Sequence, residues 1–429
     1  MNIKFGTDGI RGKAFTELSQ DIVQTLGNAL NGLIVIGQDT RFSSPQLTQC
    51  FINGSLDAGC TVLNLGVCPT SCVAYISHLL NANFGVMITA SHNPCEYNGI
   101  KIFGKKGHKI STSQEKRFES YINQNKYKKN TKTGLFAQAE NLVCLYKDYI
   151  LHNFEPQALK NMRIVLDCAN GVASTIAPEL FSLLDADVIA INNHPNGKNI
   201  NANCGPLYTE SIKSAMIQYK ADIGFAFDGD GDRVIAFDCA GNTYDGDMLL
   251  YIFATHVYKS KTVVGTVMTN FNVEKALNAC GIKLLRTAVG DKHVSEALVK
   301  HNLTLGGEQS GHIILRDILN SGDGILNALK IASLCKKENK SLCEFFNFSP
   351  YPQSNTNVEV KDKNAILNNP KLKKLVEQEN NTLYSCGRLL VRASGTEPCI
   401  RIMAECENKT LADLICAKIA QFVFELDNY

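Results

Sequence analysis

The sequence predicts an α/β protein with three similar α/β domains, each holding a mainly parallel sheet, and a C-terminal α+β domain, all around one central cleft. Three stretches each contain three apolar, β-branched-rich runs of strand length. The spacers of about 20–35 residues are long enough for the crossover helices of parallel strands. The last ~75 residues instead show two apolar strands that flank one polar loop, which indicates a hairpin.

The strand candidates follow in order. The first stretch has LIVIGQDT, TVLNLGV and FGVMITASHNP, the second MRIVLDCANG, DVIAI and DIGFAFDGDGDR, and the third TVVGTVMTN, KLLRTAVG and LTLGGEQSGH. The spacer SPQLTQCFINGSLDAG has apolar residues at helical spacing and ends on glycine, which predicts a helix. The last boundary is expected near FSPYPQSNT, where prolines and polar residues cluster. The expected domains are residues 1–150, 151–241, 242–350 and 351–429.

Composition narrows the class of protein. The chain has 429 residues, 45% of them hydrophobic and 20% charged, with a net charge of +2. The near balance of positive and negative charges argues against nucleic acid as a partner, because nucleic-acid-binding proteins usually present a basic face. A run of ~18 apolar residues and a secretory h-region are both absent, so no membrane partner is expected. The 16 cysteines are scattered singly, which is typical of reduced thiols in a cytoplasmic protein.

In each repeat the third strand leads into a polar loop. These loops are TASHNP, DGDGDR and GGEQSGH. In open α/β sheets, ligands bind beyond the carboxyl ends of the strands. The three loops are therefore expected to meet at one cleft.

The strongest single signal is the alternation of three aspartates with glycines. Asp228, Asp230 and Asp232 follow the apolar strand IGFAF. Alternate residues can point the same way, glycine permits the tight backbone, and converging carboxylates suit Mg²⁺ or Ca²⁺. An EF-hand is excluded, because Arg233 and Cys239 stand where that loop needs Gly and Glu. The alternative is an acidic turn at the surface without a functional role.

The loop TASHNP places a hydroxyl at a strand end, where a serine can act as a nucleophile or phosphate carrier. Ser91 lacks the flanking glycines of a hydrolase elbow. The neighbouring His92 side chain is expected to diverge from Ser91. By itself such a loop is more often an ordinary turn. Further on, Gly104 and Lys105 nearly match a P-loop, but Lys106 replaces its Ser or Thr, so nucleotide binding is rejected.

Two further loops carry polar groups suited to a sugar phosphate. Glu308, Ser310 and His312 alternate in GGEQSGH and offer acceptors and donors for hydroxyls. In RASGTEP, Arg392 and the backbone around a glycine form a plausible anion nest, with Arg401 beyond it. A polar turn and a hairpin loop are the respective alternatives.

Taken together, GTDGIRG, TASHNP, DGDGDR, GGEQSGH and RASGTEP resemble the α-D-phosphohexomutase superfamily over almost the whole chain. The resemblance implies that Ser91 carries a phosphoryl group and that Mg²⁺ is held by three aspartates and a phosphoserine oxygen. The residues that it implies for catalysis are Ser91, Lys101, Arg11, His92 and His312, and for the metal Ser91, Asp228, Asp230 and Asp232. Those that it implies for substrate binding are Glu308, Ser310, Arg392, Ser394, Gly395, Thr396, Arg401 and Arg233.

Within the superfamily, the chain is most similar to enzymes that interconvert glucosamine 6-phosphate and glucosamine 1-phosphate for UDP-N-acetylglucosamine and cell-wall precursors. The resemblance implies a bisphosphate intermediate, a glucose or glucosamine 1,6-bisphosphate activator and a hexosamine phosphate as the small-molecule partner. It leaves a homodimer open. Gln309 favours glucosamine over glucose or mannose phosphates. The alternatives are a mutase for those other sugars, a magnesium-dependent phosphatase and a non-catalytic sugar-phosphate-binding protein.

Overall fold

A computed structural model describes residues 3–131, 133–394 and 398–427. The strands of its first half are β1 Ile10–Lys13, β2 Leu33–Gln38, β3 Thr61–Val67, β4 Phe84–Ile88, β5 Tyr97–Phe103, β6 Leu135–Gln138, β7 Arg163–Asp167, β8 Asp187–Ile191 and β9 Ile223–Phe227. Those of its second half are β10 Val234–Asp238, β11 Thr243–Tyr244, β12 Thr262–Thr266, β13 Lys283–Thr287, β14 Leu305–Gly307, β15 Ile313–Leu315, β16 Gln353–Glu359, β17 Gly387–Ala393 and β18 Cys399–Cys406.

The helices alternate with these strands. The first seven are α1 Gln20–Asn28, α2 Ser44–Asp57, α3 Thr70–Leu79, α4 Thr112–Asn123, α5 Val143–Leu151, α6 Ala173–Leu183 and α7 Glu210–Tyr219. The others are α8 Gly246–Ile252, α9 Phe271–Ala279, α10 Asp291–Lys300, α11 Gly324–Glu338, α12 Lys363–Asn368, α13 Pro370–Thr382 and α14 Lys409–Asp427. None of the described helices combines the length and hydropathy needed to cross a bilayer.

The threefold repeat is visible in the strand order. The three sheets contain the trios β4-β2-β3, β9-β7-β8 and β14-β12-β13, so each time the first strand of a repeat lies between its third and its second. The pairs β2–β3, β2–β4, β7–β8, β7–β9 and β12–β14 are parallel. The predicted α/β class is therefore confirmed, with parallel strands at the centre of the sheets.

Each trio is extended at one edge by antiparallel strands, which the sequence prediction lacked. β4 pairs with β5, β9 with β10 and β14 with β15. Each of the three predicted site loops is thus the turn between the third strand of a repeat and its antiparallel partner. A short hairpin connection holds both ends of such a loop in the sheet, which positions its side chains.

The contacts between Cα atoms divide the chain into two units. The first contains residues 1–268 and 284–345, and the second contains residues 269–283 and 346–429. Apolar side chains such as Val23, Ile34, Phe51, Val86 and Ile100 form a core around the first sheet. In the second unit, β16, β18 and β17 form an antiparallel sheet, and α14 contributes Ile415 and Ile419 to its core. This antiparallel sheet with its helices confirms the expected α+β architecture of the C-terminal part.

Local sequence explains the helix beginnings that matter for the site. The Asp323 side chain accepts a hydrogen bond from the backbone N–H of Leu326 at the start of α11, as N-cap residues do. Ser111 and Gln114 form a capping box at the start of α4. Pro69 precedes α3 and fixes the chain direction just before Thr70.

Candidate active site

Ser91 lies at the end of β4 in a strained backbone conformation. Its φ is +52°, in the left-handed region that few residues other than glycine adopt. Its side chain is fully buried, and its Oγ donates a hydrogen bond to Asp228 Oδ2 at 2.6 Å. Strain of this kind persists only where surrounding contacts impose it, and it is concentrated at functional sites. The hairpins after β4 and β9 therefore bring the serine and the first aspartate together.

The strained serine loop is held by a buried arginine that the sequence analysis missed. Arg41 is 1% exposed, and its Nε donates to Asp39 Oδ2 at 2.8 Å. Its two remaining nitrogens donate to four carbonyl oxygens of the loop, those of Ser91, Asn93, Pro94 and Tyr97. Asp39 also accepts from Thr89 Oγ1 at 2.7 Å. Asp39 and Arg41 follow β2, which pairs with β4, so knowledge of strand adjacency was the signal needed to find them.

A second anchor comes from the loop between β8 and α7. Asn201 Nδ2 donates to the carbonyl oxygens of Ser91 and Asn93 at 2.8 and 3.0 Å. Gly229 passes so close to the loop that a Cβ there would lie 2.7 Å from the Ser91 oxygen. Glycine is required at this approach, because the space is taken by the backbone of the serine loop.

The three aspartates of the second loop converge as predicted. One carboxylate oxygen of each lies within 4.8 Å of the others, and all three side chains are buried. Burial, with the negative charges of Asp230 and Asp232, raises the pKa of Asp228 well above its usual value. Within the described residues, Asp230 Oδ1 and Asp232 Oδ1 have no hydrogen-bond partner although both are buried. These free, hard oxygens fit a divalent cation.

Lys101 supplies positive charge to this cluster from β5. Its Nζ lies 2.8 Å from Asp230 Oδ2 and 2.7 Å from Asp232 Oδ2. Burial favours the neutral amine, but Asp230, Asp232 and Asp8 outweigh it, so the pKa of Lys101 lies well above its usual value. The lysine is therefore an ammonium cation when the carboxylates have no other counter-charge.

Thr70 was also missed by the sequence analysis. Its Oγ1 donates to Asp230 Oδ2 at 2.5 Å, and its N–H donates to the Asp230 carbonyl oxygen at 3.1 Å. It stands at the first position of α3 and is buried. Thr70 therefore fixes both the backbone and the side chain of the middle aspartate.

The predicted N-terminal residue Arg11 lies beside the serine loop. Its guanidinium forms an ion pair with Asp8 and donates to Asn93 Oδ1 at 3.1 Å. Asp8 also pairs with Lys101 at 3.1 Å and with Lys109 at 2.5 Å. Despite its burial, these cations hold the pKa of Asp8 well below its usual value. Asp8 and Lys109, absent from the sequence prediction, thus link Arg11 to Lys101.

Neither predicted histidine pairs with the serine. Burial, Arg233 and Arg11 lower the pKa of His92 to about 3, so its ring is neutral at physiological pH. His312 is buried, with Nε2 at 3.7 Å from Asp291 Oδ2 and 3.9 Å from Asp232 Oδ2. His312 therefore lies beside the aspartate cluster, whereas the hydroxyl of Ser91 donates its hydrogen bond to Asp228.

The predicted sugar-binding residues border a cavity of about 240 Å³ in the first unit. Its lining includes Asp8, Arg233, Glu308, Gln309 and Ser310. Glu308 Oε1 accepts from the Gly290 N–H at 2.8 Å, and burial raises the pKa of this carboxyl above its usual value. Arg233 Nε lies 3.8 Å from Asp232 Oδ1, so its guanidinium stands between the aspartates and the cavity. A polar cavity thus adjoins the aspartate loop through Arg233.

The predicted phosphate-binding arginines belong to the second unit. Arg392 of β17 and Arg401 of β18 are direct partners in the antiparallel ladder, which brings their side chains close together. Burial and the neighbouring Arg401 lower the pKa of Arg392. Ser394 is buried, and its carbonyl oxygen accepts from Lys363 Nζ at 2.8 Å. The predicted Gly395 and Thr396 lie outside the described residues.

Sequence profiles of the phosphoglucomutase/phosphomannomutase family match nearly the whole chain. The α/β/α domains I, II and III match residues 2–129, 145–241 and 245–351, and the C-terminal domain matches residues 356–422. Along the chain, the order of these four matches agrees with the order of the three strand repeats and the C-terminal hairpin.

Curated relatives match over their full length. A protein from Halalkalibacterium halodurans named phosphoglucosamine mutase is 40% identical over 436 residues, covering 98% of both chains. One of the same name from Caldanaerobacter subterraneus subsp. tengcongensis is 42% identical over 443 residues, covering 97% of this chain and 99% of its own.

Solved structures show the same fold. A phosphoglucomutase/phosphomannomutase family protein from Burkholderia thailandensis matches with a TM-score of 0.82 and 22% identity, over 98% of this chain and 97% of its own. An Aspergillus fumigatus N-acetylphosphoglucosamine mutase, solved with GlcNAc-6P and magnesium, matches with a TM-score of 0.69 and 18% identity, over 100% of this chain and 96% of its own. With its profiles, relatives and fold in agreement, the chain belongs to the phosphoglucomutase/phosphomannomutase family and is an enzyme, a mutase.

Proposed function

We propose that this chain is a phosphoglucosamine mutase, which interconverts glucosamine 6-phosphate and glucosamine 1-phosphate. Phosphoryl chemistry is supported above all by one observation, the 2.6 Å hydrogen bond from the strained Ser91 to Asp228 within a buried carboxylate cluster. The choice of sugar is supported by full-length relatives of that name at about 40% identity. The product would feed UDP-N-acetylglucosamine and cell-wall precursor synthesis.

Ser91 is the proposed phosphoryl carrier. In the first step, the bond between phosphorus and Ser91 Oγ breaks while a bond to O1 of glucosamine 6-phosphate forms, giving the 1,6-bisphosphate. After the bisphosphate reorients, the phosphoryl group on O6 moves to Ser91 and glucosamine 1-phosphate leaves. Such transfer depends on positioning and charge neutralisation. Arg41 and Asn201 position the serine loop, and Arg11 faces it with positive charge.

A divalent cation, proposed to be Mg²⁺, would be held by Asp228, Asp230, Asp232 and an oxygen of the phosphorylated Ser91. When bound, the cation would supply positive charge to the transferring phosphoryl group and would offset the carboxylate field that raises the pKa of Lys101. Lys101 remains the proposed acid and base that exchanges protons with the sugar hydroxyls, with His312 second. His92, neutral at physiological pH, would help to exclude water and to position the transferring group.

Glu308 and Ser310 are proposed to bind sugar hydroxyls at the 240 Å³ cavity, with Arg233 at its border. In the second unit, Arg392, Ser394 and Arg401, with Gly395 and Thr396, are proposed to bind the phosphate that is not transferred. The cross-strand arginine pair supports this role, because an anion relieves the repulsion between two guanidinium groups.

The remaining proposals concern the whole protein. We propose domains over residues 1–150, 151–241, 242–350 and 351–429, a homodimer, a cytoplasmic location, and glucose or glucosamine 1,6-bisphosphate as activator. A mutase for glucose or mannose phosphates is the second candidate function, because the matching family profiles carry those names.

Peptide mass mapping after incubation with glucose 1,6-bisphosphate and Mg²⁺ tests the carrier. We expect one phosphoryl group on Ser91, discharge to glucosamine 6-phosphate, and neither in S91A. S113A, which removes an exposed serine on α4, is the matched control and should behave as the wild type. An enzyme that never carries phosphate on Ser91 would contradict the mechanism, and stoichiometric release of inorganic phosphate would indicate a phosphatase. Relative rates on glucosamine, glucose and mannose 6-phosphates test the choice of sugar.

A further inference from the structure

A second cavity, of about 650 Å³, lies in the first unit between α4, α10 and the segment that follows β5. This volume is within the range of small-molecule sites. One wall is the segment at Gly104 and Lys105 that nearly matches a P-loop, and the opposite wall is the C-terminal half of α10 from Ser295 to Lys300. The proposed mutase reaction uses none of these walls.

The cavity and the phosphoryl site share the boundary residue Lys109, which pairs with Asp8, but they lie at opposite ends of β4. Asn83 and Phe84, which line it, stand at the beginning of β4, whereas Ser91 follows the end of that strand. Five residues of strand, at about 3.3 Å each, separate the two ends by roughly 16 Å. A molecule in this cavity therefore does not occupy the place of the transferring phosphoryl group.

The walls carry more positive than negative charge. Lys105, Lys109, Lys292 and Lys300 line the cavity, and Glu296 is the one carboxylate among the lining residues. His108 also lines it, but burial and nearby cations lower the pKa of its ring, so it adds no positive charge at physiological pH. Two of these lysines are already paired elsewhere: Lys109 with Asp8 and Asp291, and Lys292 with Glu115. Lys105 and Lys300 are exposed, and neither forms an ion pair within the part of the chain that the structure describes. A positive charge excess in a concave site favours an anion.

An apolar surface completes the site. Phe84, Ile110 and Val299 provide apolar surface next to the basic groups. An apolar wall with a few convergent polar groups is the usual composition of a small-molecule site.

We propose that this cavity binds a small organic anion, whose carboxylate or phosphate lies against Lys105 and Lys300 and whose apolar body lies against Phe84, Ile110 and Val299. The site is additional to the mutase site and does not depend on which sugar phosphate the enzyme converts.

Fluorine NMR line broadening with 4-fluorophenyl phosphate and 4-fluorobenzoate tests the proposal, with neutral 4-fluorophenol as the comparison. Saturating glucosamine 6-phosphate and Mg²⁺ are present throughout, so that binding at the mutase site is suppressed. We expect at least one anion to bind the wild type and the phenol to bind much more weakly. The proposal would be overturned if neither anion showed line broadening in the presence of glucosamine 6-phosphate. It would also be overturned if 4-fluorophenol bound as strongly as the anions.

Charge-reversal variants locate the binding. K105E/K300E should weaken anion binding by about tenfold or more, because charge-assisted contacts are lost and repulsion is introduced. K371E/K374E, which reverses two exposed lysines on α13, is the matched control and should bind as the wild type. S295W, which fills the cavity from α10, should abolish binding. It replaces the double variant in the test if circular dichroism shows that K105E/K300E does not fold. Unchanged binding in a folded K105E/K300E or S295W protein would place the anion elsewhere.

Discussion

At the scale of single residues, the site depends on side chains that orient the reacting groups. Thr70 donates a 2.5 Å hydrogen bond to Asp230 Oδ2, and the opposite oxygen, Oδ1, has no partner among the described residues. The threonine, together with Lys101 on the same oxygen, therefore leaves Oδ1 of Asp230 free for a cation. Residues that hold metal ligands in place commonly have a strong effect on metal affinity.

T70V removes the hydroxyl but keeps the size of the side chain. We expect the affinity for Mn²⁺, used as a paramagnetic substitute for Mg²⁺, to fall by about tenfold. Titration followed by electron paramagnetic resonance measures free Mn²⁺ directly, without an activity assay. T70S keeps a hydroxyl and should restore most of the affinity. Wild-type affinity in T70V would show that Asp230 is oriented without Thr70.

Arg41 acts on the strained serine in the same manner. R41K keeps the charge but has three donors on one nitrogen, so it cannot satisfy Asp39 and four carbonyl oxygens together. The Ser91 and Asn93 carbonyls keep Asn201 as a donor, whereas any buried carbonyl left without a donor costs about 1–3 kcal/mol in uncompensated desolvation. We expect R41K to unfold at clearly lower urea concentration and to lose most of its phosphoryl transfer to Ser91. The control R163K changes an exposed arginine. Equal urea midpoints for the two variants would show that Arg41 does not hold the serine loop in place.

At the scale of elements, the site is assembled from hairpin turns of neighbouring sheets. The turn between β4 and β5 carries Ser91, and the turn between β9 and β10 carries the aspartates. The two turns touch where Gly229 meets the carbonyl oxygen of Ser91. Close backbone approach of two loops explains how residues far apart in sequence come within hydrogen-bond distance.

G229A tests this contact between turns. A Cβ at Gly229 would lie 2.7 Å from the Ser91 oxygen and 2.8 Å from Ile200 Cδ1, so one loop must move. We expect a loss of about 1–3 kcal/mol in the free energy of unfolding, measured in urea, and slower phosphorylation of Ser91. In the control G104A, the nearest atom to the new Cβ is at an ordinary 3.8 Å. If G229A were as stable and active as G104A, the contact would not determine the position of the serine.

At the scale of the whole molecule, the buried carboxylates couple cation binding to stability. Three aspartates are buried together, and burial with mutual repulsion raises the pKa of Asp228. Their repulsion opposes folding unless positive charge is nearby, and Lys101 provides part of that charge. A bound cation would provide the rest, and the unfolded chain has no comparable site.

Mg²⁺ should therefore raise the melting temperature. At a concentration 100 times the dissociation constant, a ligand that binds only the folded state stabilises it by about 2.7 kcal/mol. We expect a rise of a few degrees in a thermal unfolding scan of the wild type, and none in D230N/D232N. Sodium chloride at equal ionic strength controls for screening. A wild-type melting temperature that does not respond to Mg²⁺ would argue against a cation site at the triad.

The sequence by itself determined the α/β class, the threefold strand repeat and the convergence of three aspartates, because these depend on local hydrophobic periodicity and on glycine spacing. Only the tertiary structure decided the partner of Ser91, which is Asp228 and not the adjacent His92. It also revealed Arg41, Thr70 and Asn201, which act across strands and between sheets. Sequence periodicity reports which way a side chain points along its own element. Which strand lies next to which is set by packing over the whole sheet, so contacts between loops emerge only in three dimensions.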